Sequence, residues 1–261
     1  MQIIIPMTGY GSRFVAAGYK ELKPFINIQG KPIIQWIVEG MYPKEKNILF
    51  ICRQEHLDSI TGMKKMLLGI ASTAKIFAIK DWIKKGPVYD VLRASEIIDD
   101  KESAIINYCD FYMTWDWERF KNDVIKRNCD GCVPCYSGFH PNLLPKKNLY
   151  ASCKIDDDEN LVEIREKFSF EKDKTKARHS PGVYYFKTGS ILKEYCQKLV
   201  ESGQAIRDEY YASLPYNFMV KDGVKVWIPV NVNQFCQWGT PEDMKDYLFW
   251  TNNILAWKKR R

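Results

Sequence analysis

Glycines and cations follow the first apolar run of the chain, in an order typical of phosphate binding. Positions 3–5 read Ile-Ile-Ile, positions 8–13 read TGYGSR, and Lys23 precedes a proline ten residues later. Glycine lacks a Cβ, so its backbone can approach a ligand closely and present N–H groups to an anion. Arg13 and Lys23 add positive charge beside that backbone. The segment therefore predicts a loop that binds phosphate.

Two well-known phosphate loops do not fit this segment. The dinucleotide fingerprint G-x-G-x-x-G requires a glycine where Phe14 stands, and no clear acidic residue closes a second strand about 20 residues later. The P-loop string G-x-x-x-x-G-K-[ST] does not occur in the chain. These differences disfavour a hydride-transfer enzyme and exclude a P-loop kinase. The pattern that remains is G-x-G-x-R followed by Lys-Pro.

A carboxylate stands at the end of another apolar run. The run SAIINYC at 103–109 leads directly into Asp110. Ligands of open parallel sheets bind beyond the carboxyl ends of the strands, so Asp110 and the glycine loop should share one edge. Asp110 is thus a candidate metal ligand, although an Asp in such a position is also common as a helix cap or turn residue.

Apolar runs alternate with helical patterns through the first half of the chain, and these elements must position the loop and the carboxylate. Strands are predicted at 3–6, 47–52, 74–79 and 103–109, and helices at 32–40, 54–68 and 88–98. This βαβ alternation predicts an α/β fold with a single, mostly parallel, Rossmann-like sheet and helices on both faces.

Beyond residue 116 the pattern changes. A helix ending near 128 precedes short strand-like segments at 129–136, 150–155, 161–167 and 182–187. Few helices lie between them, which predicts a small antiparallel extension. Helices at 190–202, 208–220 and 241–257 and a strand at 224–230 complete the predicted elements. Since neither internal repeats nor low-complexity linkers occur, we expect one domain, 1–261.

Composition limits the classes of partner. The formal charge of +7 is spread along 261 residues, apart from the basic end 258–261, which we interpret as a solvated chain end. Such a distribution suits small anionic substrates better than nucleic acid. The chain has no apolar run of membrane-spanning length, and its start lacks the features of a signal peptide. We expect a cytoplasmic protein without an integral membrane segment.

Cysteines and histidines give weaker signals. Cys129, Cys132 and Cys135 are spaced like ligands of zinc or an iron–sulfur cluster, but no fourth ligand is obviously placed. We interpret them as reduced and buried. The three histidines, at 56, 140 and 179, lack the spacing of metal ligands or of a catalytic triad. We expect them at the surface or in loops.

The phosphate-binding pattern resembles the opening signature of the sugar-phosphate nucleotidyltransferase family, which has the nucleotide-diphospho-sugar transferase fold. GYGSR at 9–13, LKPF at 22–25 and INIQGKPII at 26–34 occur in the family order and spacing. More distant similarity continues in KKGPVYDVLRA at 84–94, NYCDFY at 107–112, IREK at 164–167, SPGVYYF at 180–186 and QWGTPEDM at 237–244. The chain also resembles a branch of this family found among bacterial capsule and surface-polysaccharide proteins.

The resemblance implies transfer of a nucleoside monophosphate from a nucleoside triphosphate to a sugar phosphate or a related phosphorylated alcohol, with release of pyrophosphate. It favours CTP or UTP, Mg²⁺ as the divalent cation, a nucleotide-binding half at 1–115 and an acceptor-binding half at 116–261. Catalytic roles fall on Arg13 at the β and γ phosphates and on Lys23 at the α-phosphate. The residues implied in nucleotide binding are Thr8, Gly9, Gly11, Ser12, Arg13, Lys23 and Gly86. Those implied in acceptor binding are Glu166, Lys167 and Gly182, and Asp110 is the implied metal ligand.

Several of these positions have simpler explanations. Gly86 also fits the start of a helix before Pro87. Glu166 could pair with a neighbouring cation, and Lys167 could be a surface lysine at a strand end. Aromatic residues at 115, 117, 120, 184, 185, 210 and 211 are candidates for stacking on a sugar, but they are equally suited to a core.

Two departures from the family pattern are informative. Gln237 stands where the closing motif has an aspartate, and an amide is a weaker ligand for Mg²⁺ than a carboxylate. One carboxylate then suffices, or Asp243 or Glu209 assists, or the use of metal is altered. In the opening motif, Leu22 replaces proline or threonine, and Glu21 adds negative charge near the triphosphate.

Other functions stay open at this stage. A glycosyltransferase of GT-A type, acting on a nucleotide sugar, normally needs a D-x-D motif, and Tyr112 stands at its second acid. A non-catalytic nucleotide-binding regulatory module is compatible with Gln237. A homodimer is possible, with the segment 230–238 as an exposed edge.

Overall fold

A seven-stranded sheet forms the centre of the computed structural model, which describes residues 1–144 and 148–258. The first seven strands along the chain are β1 (Gln2–Pro6), β2 (Asn27–Ile28), β3 (Lys31–Pro32), β4 (Ile48–Arg53), β5 (Lys75–Ile79), β6 (Ala104–Asn107) and β7 (Phe111–Thr114). They are followed by β8 (Gly131–Cys132), β9 (Ser152–Ile155), β10 (Leu161–Arg165), β11 (Arg178–His179), β12 (Val183–Phe186), β13 (Val226–Trp227) and β14 (Gln234–Gln237).

Helices separate most of the strands. They are α1 (Ser12–Ala16), α2 (Ile33–Trp36), α3 (Gln54–Ser59), α4 (Met63–Ile70), α5 (Pro87–Arg93), α6 (Trp117–Arg127), α7 (Gly189–Ser202), α8 (Pro215–Lys221) and α9 (Pro241–Lys258). A π-helical turn, Ile37–Met41, continues α2. Local sequence sets several ends: the Thr188 side chain caps α7 by accepting from the Ile191 N–H, and Gly203 ends that helix at φ +67°.

The central sheet has the order β13-β8-β12-β6-β1-β4-β5. Its β6-β1-β4-β5 part is parallel, β8 pairs in parallel with β13, and β12 runs antiparallel to both of its neighbours. Smaller antiparallel sheets are β10-β9-β11, β14-β7 and β2-β3. The predicted α/β class, with a mostly parallel sheet and an antiparallel extension, is confirmed.

Apolar packing lies on both faces of this sheet. Along β1, Ile3 and Ile5 belong to one buried cluster, whereas Ile4 points into the other. This alternation follows from the two-residue period of a strand. A strand that is apolar on both faces is typical of a parallel sheet covered on two sides. The carboxyl end of β1 therefore emerges between two packed layers, where it presents the glycine loop.

Two predicted helices have different bounds. The helix predicted at 54–68 is two helices, α3 and α4, because the chain turns at 60–62 and Gly62 adopts φ +79°. The helix predicted at 208–220 begins only at Pro215. Arg207 and Asp208 adopt φ values of +53° and +63°, which are incompatible with a right-handed helix.

Burial corrects two further expectations. His56 and His179 are buried rather than at the surface, and His140 is partly buried. The segment 230–238 is exposed only in part: Val230, Asn233 and Gln234 are exposed, whereas Phe235 and Cys236 are buried where β14 pairs with β7. The cysteines at 129, 132 and 135 are buried and free, as expected for small apolar side chains. The predicted solvated end at 258–261 lies outside the described residues, except for Lys258.

Candidate functional site

Two adjoining pockets open at the carboxyl end of β1. The smaller, of about 390 Å³, is lined by the glycine loop, Lys23, Gly86 and the residues around Asp110. The larger, of about 1000 Å³, is lined by residues that include Glu166, Lys167 and Gly182. Both pockets include Arg13, Tyr108, Asp110, Tyr211 and Gly239 in their linings. The pockets therefore form one cleft, and Arg13 and Asp110 stand where its two parts meet.

The two glycines of the loop serve different purposes. Gly11 adopts φ +60° immediately before α1, a conformation that other residues adopt at a cost. A Cβ on Gly9 would meet no protein atom within 4 Å. Gly9 therefore leaves open space in the smaller pocket, as a site requires when a ligand approaches the backbone. Phe14 is buried and anchors α1, whereas Arg13 is exposed toward the cleft.

Lys23 is held in place by two residues that are distant from it in the chain. Its Nζ donates to Asp110 Oδ2 at 2.8 Å and to the Gly239 carbonyl at 3.0 Å. The side chain is only 15% exposed, so Lys23 is not an ordinary surface lysine. Asp110 lies in the short connection between β6 and β7, and its carbonyl accepts from the Trp238 N–H at 3.2 Å. The ammonium and the carboxylate thus share one point of the cleft.

Gln237 lies close to this pair. Its Nε2 donates to Asp243 Oδ2 at 2.6 Å, and Thr240 Oγ1 donates to the same oxygen at 2.6 Å. Burial raises the pKa of Asp243, partly offset by the hydrogen bond from Thr240 and by the charge of Arg13. Asp243 therefore accepts a hydrogen bond from the Gln237 amide. The other acid considered from sequence, Glu209, pairs with Lys84 at 2.6 Å and lines the smaller pocket.

Thr8 belongs to a buried network behind the glycine loop. Its hydroxyl donates to Asp90 on α5, and Trp82 Nε1 donates to the same carboxylate at 3.0 Å. Burial raises the pKa of Asp90 to about 6, against the lowering effect of these two hydrogen bonds. The Arg53 guanidinium stacks 4.2 Å from the ring centres of both Tyr10 and Trp82. This network fixes one wall of the smaller pocket.

Gly86 lines the smaller pocket and also begins α5. It adopts φ +87°, and a Cβ there would lie 2.7 Å from the Tyr210 backbone nitrogen. The Tyr210 N–H donates to the Lys85 carbonyl at 2.9 Å, so the two segments touch directly. Close approach of protein backbone therefore explains this glycine, together with the helix start before Pro87.

The larger pocket contains the three predicted acceptor residues. Lys167 adopts φ +54° after β10, and its Nζ donates to the Tyr211 hydroxyl at 3.2 Å. Glu166 accepts from Ser213 Oγ at 2.5 Å, and burial raises its pKa. Gly182 adopts φ +118°, and a Cβ there would lie 3.0 Å from both Phe111 and Tyr108.

Sequence reasoning missed several residues of the cleft. Arg207 lines the larger pocket from a turn immediately before the helix predicted at 208–220. Asp90 lies within the segment 84–94, which resembles the family, and Trp82 lies just before it. The pattern of apolar residues does not distinguish either of them from their neighbours. The paired left-handed conformation at 207 and 208 is set by tertiary packing, and no sequence signal that we recognise predicts it. Among the candidate stacking aromatics, Tyr184 and Tyr211 line the larger pocket, whereas Trp115, Trp117 and Phe120 are buried in the core.

The arrangement can bind two anionic groups across one junction. Within the described residues, no set of three or more His, Cys, Asp or Glu side chains forms a metal site. No described helix is both long enough and apolar enough to cross a bilayer. The charged groups at the junction are Arg13 and Asp110, which line both pockets, and Lys23, which donates to Asp110; together they can neutralise the charge of a bound anion.

Comparison with known proteins identifies the fold. Neither a family model nor a curated protein matches the chain. A nucleoside-diphosphate-sugar pyrophosphorylase from Vibrio cholerae RC9 superposes with a TM-score of 0.74 at 21% identity, over 95% of this chain and 99% of that one. A UDP-glucose pyrophosphorylase solved with UDP-glucose gives a TM-score of 0.71 at 16% identity, over 100% and 99% of the two chains. HddC from Yersinia pseudotuberculosis gives 0.64 at 18% identity, over 96% and 99%. The chain therefore has the fold of the nucleotide-sugar pyrophosphorylases.

Proposed function

We propose that this protein transfers a nucleoside monophosphate from a nucleoside triphosphate to a sugar phosphate or a related phosphorylated alcohol. The observation that carries the proposal is the junction between a glycine-lined pocket and a lysine-lined one: Arg13 and Asp110 line both pockets, and Lys23 is bound to Asp110. We assign the nucleotide to the smaller pocket, in the half 1–115, and the acceptor to the larger, in the half 116–261. The likeness in fold to solved nucleotide-sugar pyrophosphorylases supports a nucleotidyl transfer of this kind.

The reaction needs little proton transfer. An oxygen of the acceptor phosphate attacks the α-phosphorus, the bond from that phosphorus to the bridging oxygen breaks, and pyrophosphate leaves. Because the attacking oxygen is already anionic, positioning and charge neutralisation supply the catalysis. Arg13 binds the β and γ phosphates, for which its planar guanidinium is suited. Lys23, prepositioned by Asp110 and Gly239, neutralises the charge that develops at the α-phosphate.

The acceptor phosphate is bound by Lys167, with Arg207 as a second cation in the same pocket. Gly182 also lines this pocket, where its φ of +118° and the close approach of Tyr108 and Phe111 favour a glycine. Glu166, fixed by Ser213, is available to accept hydrogen bonds from hydroxyl groups of the acceptor.

A divalent cation fits this junction. Mg²⁺ is commonly bound through one or two carboxylates together with substrate phosphates, and Asp110 is a partly exposed carboxylate that lines both pockets. Asp110 would hold it, with the amide oxygen of Gln237 as a weaker candidate ligand. When bound, the ion would neutralise phosphate charge during the transfer.

The finer identity of the substrates rests on the family resemblance. We propose CTP or UTP as the nucleotide, a precursor of surface polysaccharide as the product, and the cytoplasm, where nucleoside triphosphates are made, as the location. A GT-A glycosyltransferase would use the same cleft for a finished nucleotide sugar.

Pyrophosphate release tests the proposal. The five common triphosphates, CTP, UTP, GTP, ATP and dTTP, are each combined with Mg²⁺ and a panel of sugar, polyol and amino-alcohol phosphates. Release with one nucleotide and one acceptor is the expected result. No release with any pair, together with thermal stabilisation by a nucleoside diphosphate sugar, would contradict nucleotidyl transfer and favour the glycosyltransferase.

A further inference from the structure

The second half of α9 carries large apolar side chains that the rest of the described chain does not cover. The helix starts against the core, where Pro241 and Met244 are buried. Beyond residue 248, Phe249 and Trp250 are 60% and 59% exposed, and Ile254 and Leu255 are 51% and 48% exposed. Contiguous exposed apolar surface of this kind marks an interaction site.

A groove runs beside the exposed part of α9. It has a volume of about 400 Å³ and is lined by Phe139, Val232, Trp250 and Ile254, among other residues. Phe139 is itself 71% exposed. A stable interface buries about 800 Å² per partner, and a helix of this length spans only about 27 Å. The groove and Phe139 supply the additional apolar surface that α9 alone lacks.

The charges on α9 indicate what covers it. Three acids, Glu242, Asp243 and Asp246, outnumber one lysine, Lys245, near its start, and Lys258 begins the basic sequence at its end. Glu242 and Lys258 are each eight residues, or about 12 Å, from Trp250. Antiparallel pairing of two α9 helices about Trp250 would bring the acidic end of each helix beside the basic end of the other. We propose that two copies of this chain associate in this way, through α9 and the adjoining groove.

An anionic membrane is the less suitable occupant. Asp246 precedes Trp250 by four residues, so both lie on one side of α9, and Asp246 also lines the groove. A lipid surface of negative charge would face these acids, whereas the basic end of a second copy would neutralise them. The dimer is inferred independently of the proposed enzymatic function.

The oligomeric state of the full chain is the first test. Analytical ultracentrifugation is expected to show a monomer–dimer equilibrium for the wild type. Trp250→Glu is expected to weaken it about 30-fold, the size typical of a central aromatic contact. The control is Ile125→Glu, on the 72% exposed Ile125 of α6, which should leave the equilibrium unchanged. A wild-type monomer, or a dimer unaffected by both Trp250→Glu and Ile254→Glu, would overturn the proposal.

Cross-linking tests the antiparallel arrangement. A short bis-maleimide is added to Glu242→Cys, to Lys258→Cys and to an equal mixture of the two. Residue 242 of one copy and residue 258 of the other would be neighbours, whereas the two copies of residue 242 would be about 24 Å apart along the helices. Cross-linked dimers are expected in the mixture and at background level in the separate samples. Equal cross-linking in one separate sample would overturn the arrangement. Flotation of a monomeric chain with phosphatidylserine vesicles would identify the membrane as the occupant instead.

Discussion

At the scale of single residues, Lys23 is distinguished from the other loop lysines by its two fixed partners. Asp110 and the Gly239 carbonyl hold its ammonium at the junction of the two pockets, whereas Lys20, three residues earlier, is exposed. A cation that is already oriented need not reorganise when charge develops on the α-phosphate. The catalytic role proposed for Lys23 therefore depends on its position as well as on its charge.

Lys23→Ala is expected to lower kcat for pyrophosphate release by about 100-fold or more, the loss typical when an oriented group that stabilises the transition state is removed. Lys23→Arg should restore little, because the longer planar group cannot reproduce both contacts. Steady-state kinetics with the substrates found in the panel measures the effect. Lys20→Ala is the matched control and should retain wild-type turnover. A Lys23→Ala enzyme with full turnover would remove Lys23 from the proposed mechanism.

Gly9→Ala and Gly11→Ala separate ligand binding from folding. A Cβ at Gly9 meets no protein atom, so stability should stay near wild type while triphosphate binding weakens about tenfold, or about 1.4 kcal/mol. A Cβ at Gly11 lies only in ordinary contact, but φ +60° should cost about 1 to 2 kcal/mol of stability. Urea unfolding and calorimetric titration of a triphosphate measure the two effects. Equal nucleotide affinity of Gly9→Ala and the wild type would contradict the assignment of the smaller pocket.

At the scale of elements, the Asp90 carboxylate ties α5 to the loop after β1. Thr8 reaches it from the loop and Trp82 reaches it from the segment after β5, so three parts of the chain meet at one buried acid. The pocket wall thus depends on a group whose ionised form is poorly solvated. Hydrogen bonds from two neutral donors only partly compensate for that burial.

Stability should therefore depend on pH through Asp90. Its pKa of about 6 in the folded chain lies above the ordinary value of 3.8, so the folded state binds more protons between these values. The contribution of this group falls as pH rises through that window, by about 1 kcal/mol between pH 5 and 7. Urea unfolding of the wild type and of Asp90→Asn at both pH values should show this loss only in the wild type. The same pH slope in both proteins would contradict it.

The elements also show what the sequence could predict. The fold class follows from strand periodicity and the order of elements, and the opening motif follows from glycine positions whose backbone demands are local. Arg207 and Asp90 were not found because contacts between residues far apart in the chain bring them to the cleft. The packing of Gly86 against Tyr210 joins the turn at 207–209 to the start of α5. The prediction that His179 lies at the surface or in a loop was wrong for the same reason. The sequence around a histidine does not reveal which distant elements cover it.

At the scale of the whole molecule, the two ends of the chain meet at the cleft. The loop after β1 supplies Gly9 and Arg13, while the connection between β14 and α9 supplies Gly239, close to Gln237 at the end of β14. Lys23 joins these ends through its contact with Gly239. A change at residue 237 should therefore affect two properties: the stability of the region where the chain ends meet, and the binding of cations at the junction of the two pockets.

Gln237→Asp should couple stability to Mg²⁺. The Gln237 amide donates to Asp243, and a carboxylate in its place would face Asp243 without a donor. The melting temperature without metal should therefore fall, since two acids would be held close together. Mg²⁺ should raise it more in the variant than in the wild type, because two carboxylates, at 110 and 237, would then be available to a cation that prefers them. Thermal unfolding with and without Mg²⁺ measures both effects. Gln234→Asp, on the exposed Gln234 of the same strand, should show neither. If Mg²⁺ stabilised the two variants equally, residue 237 would lie outside the cation site, and Asp110 would be the remaining ligand to test.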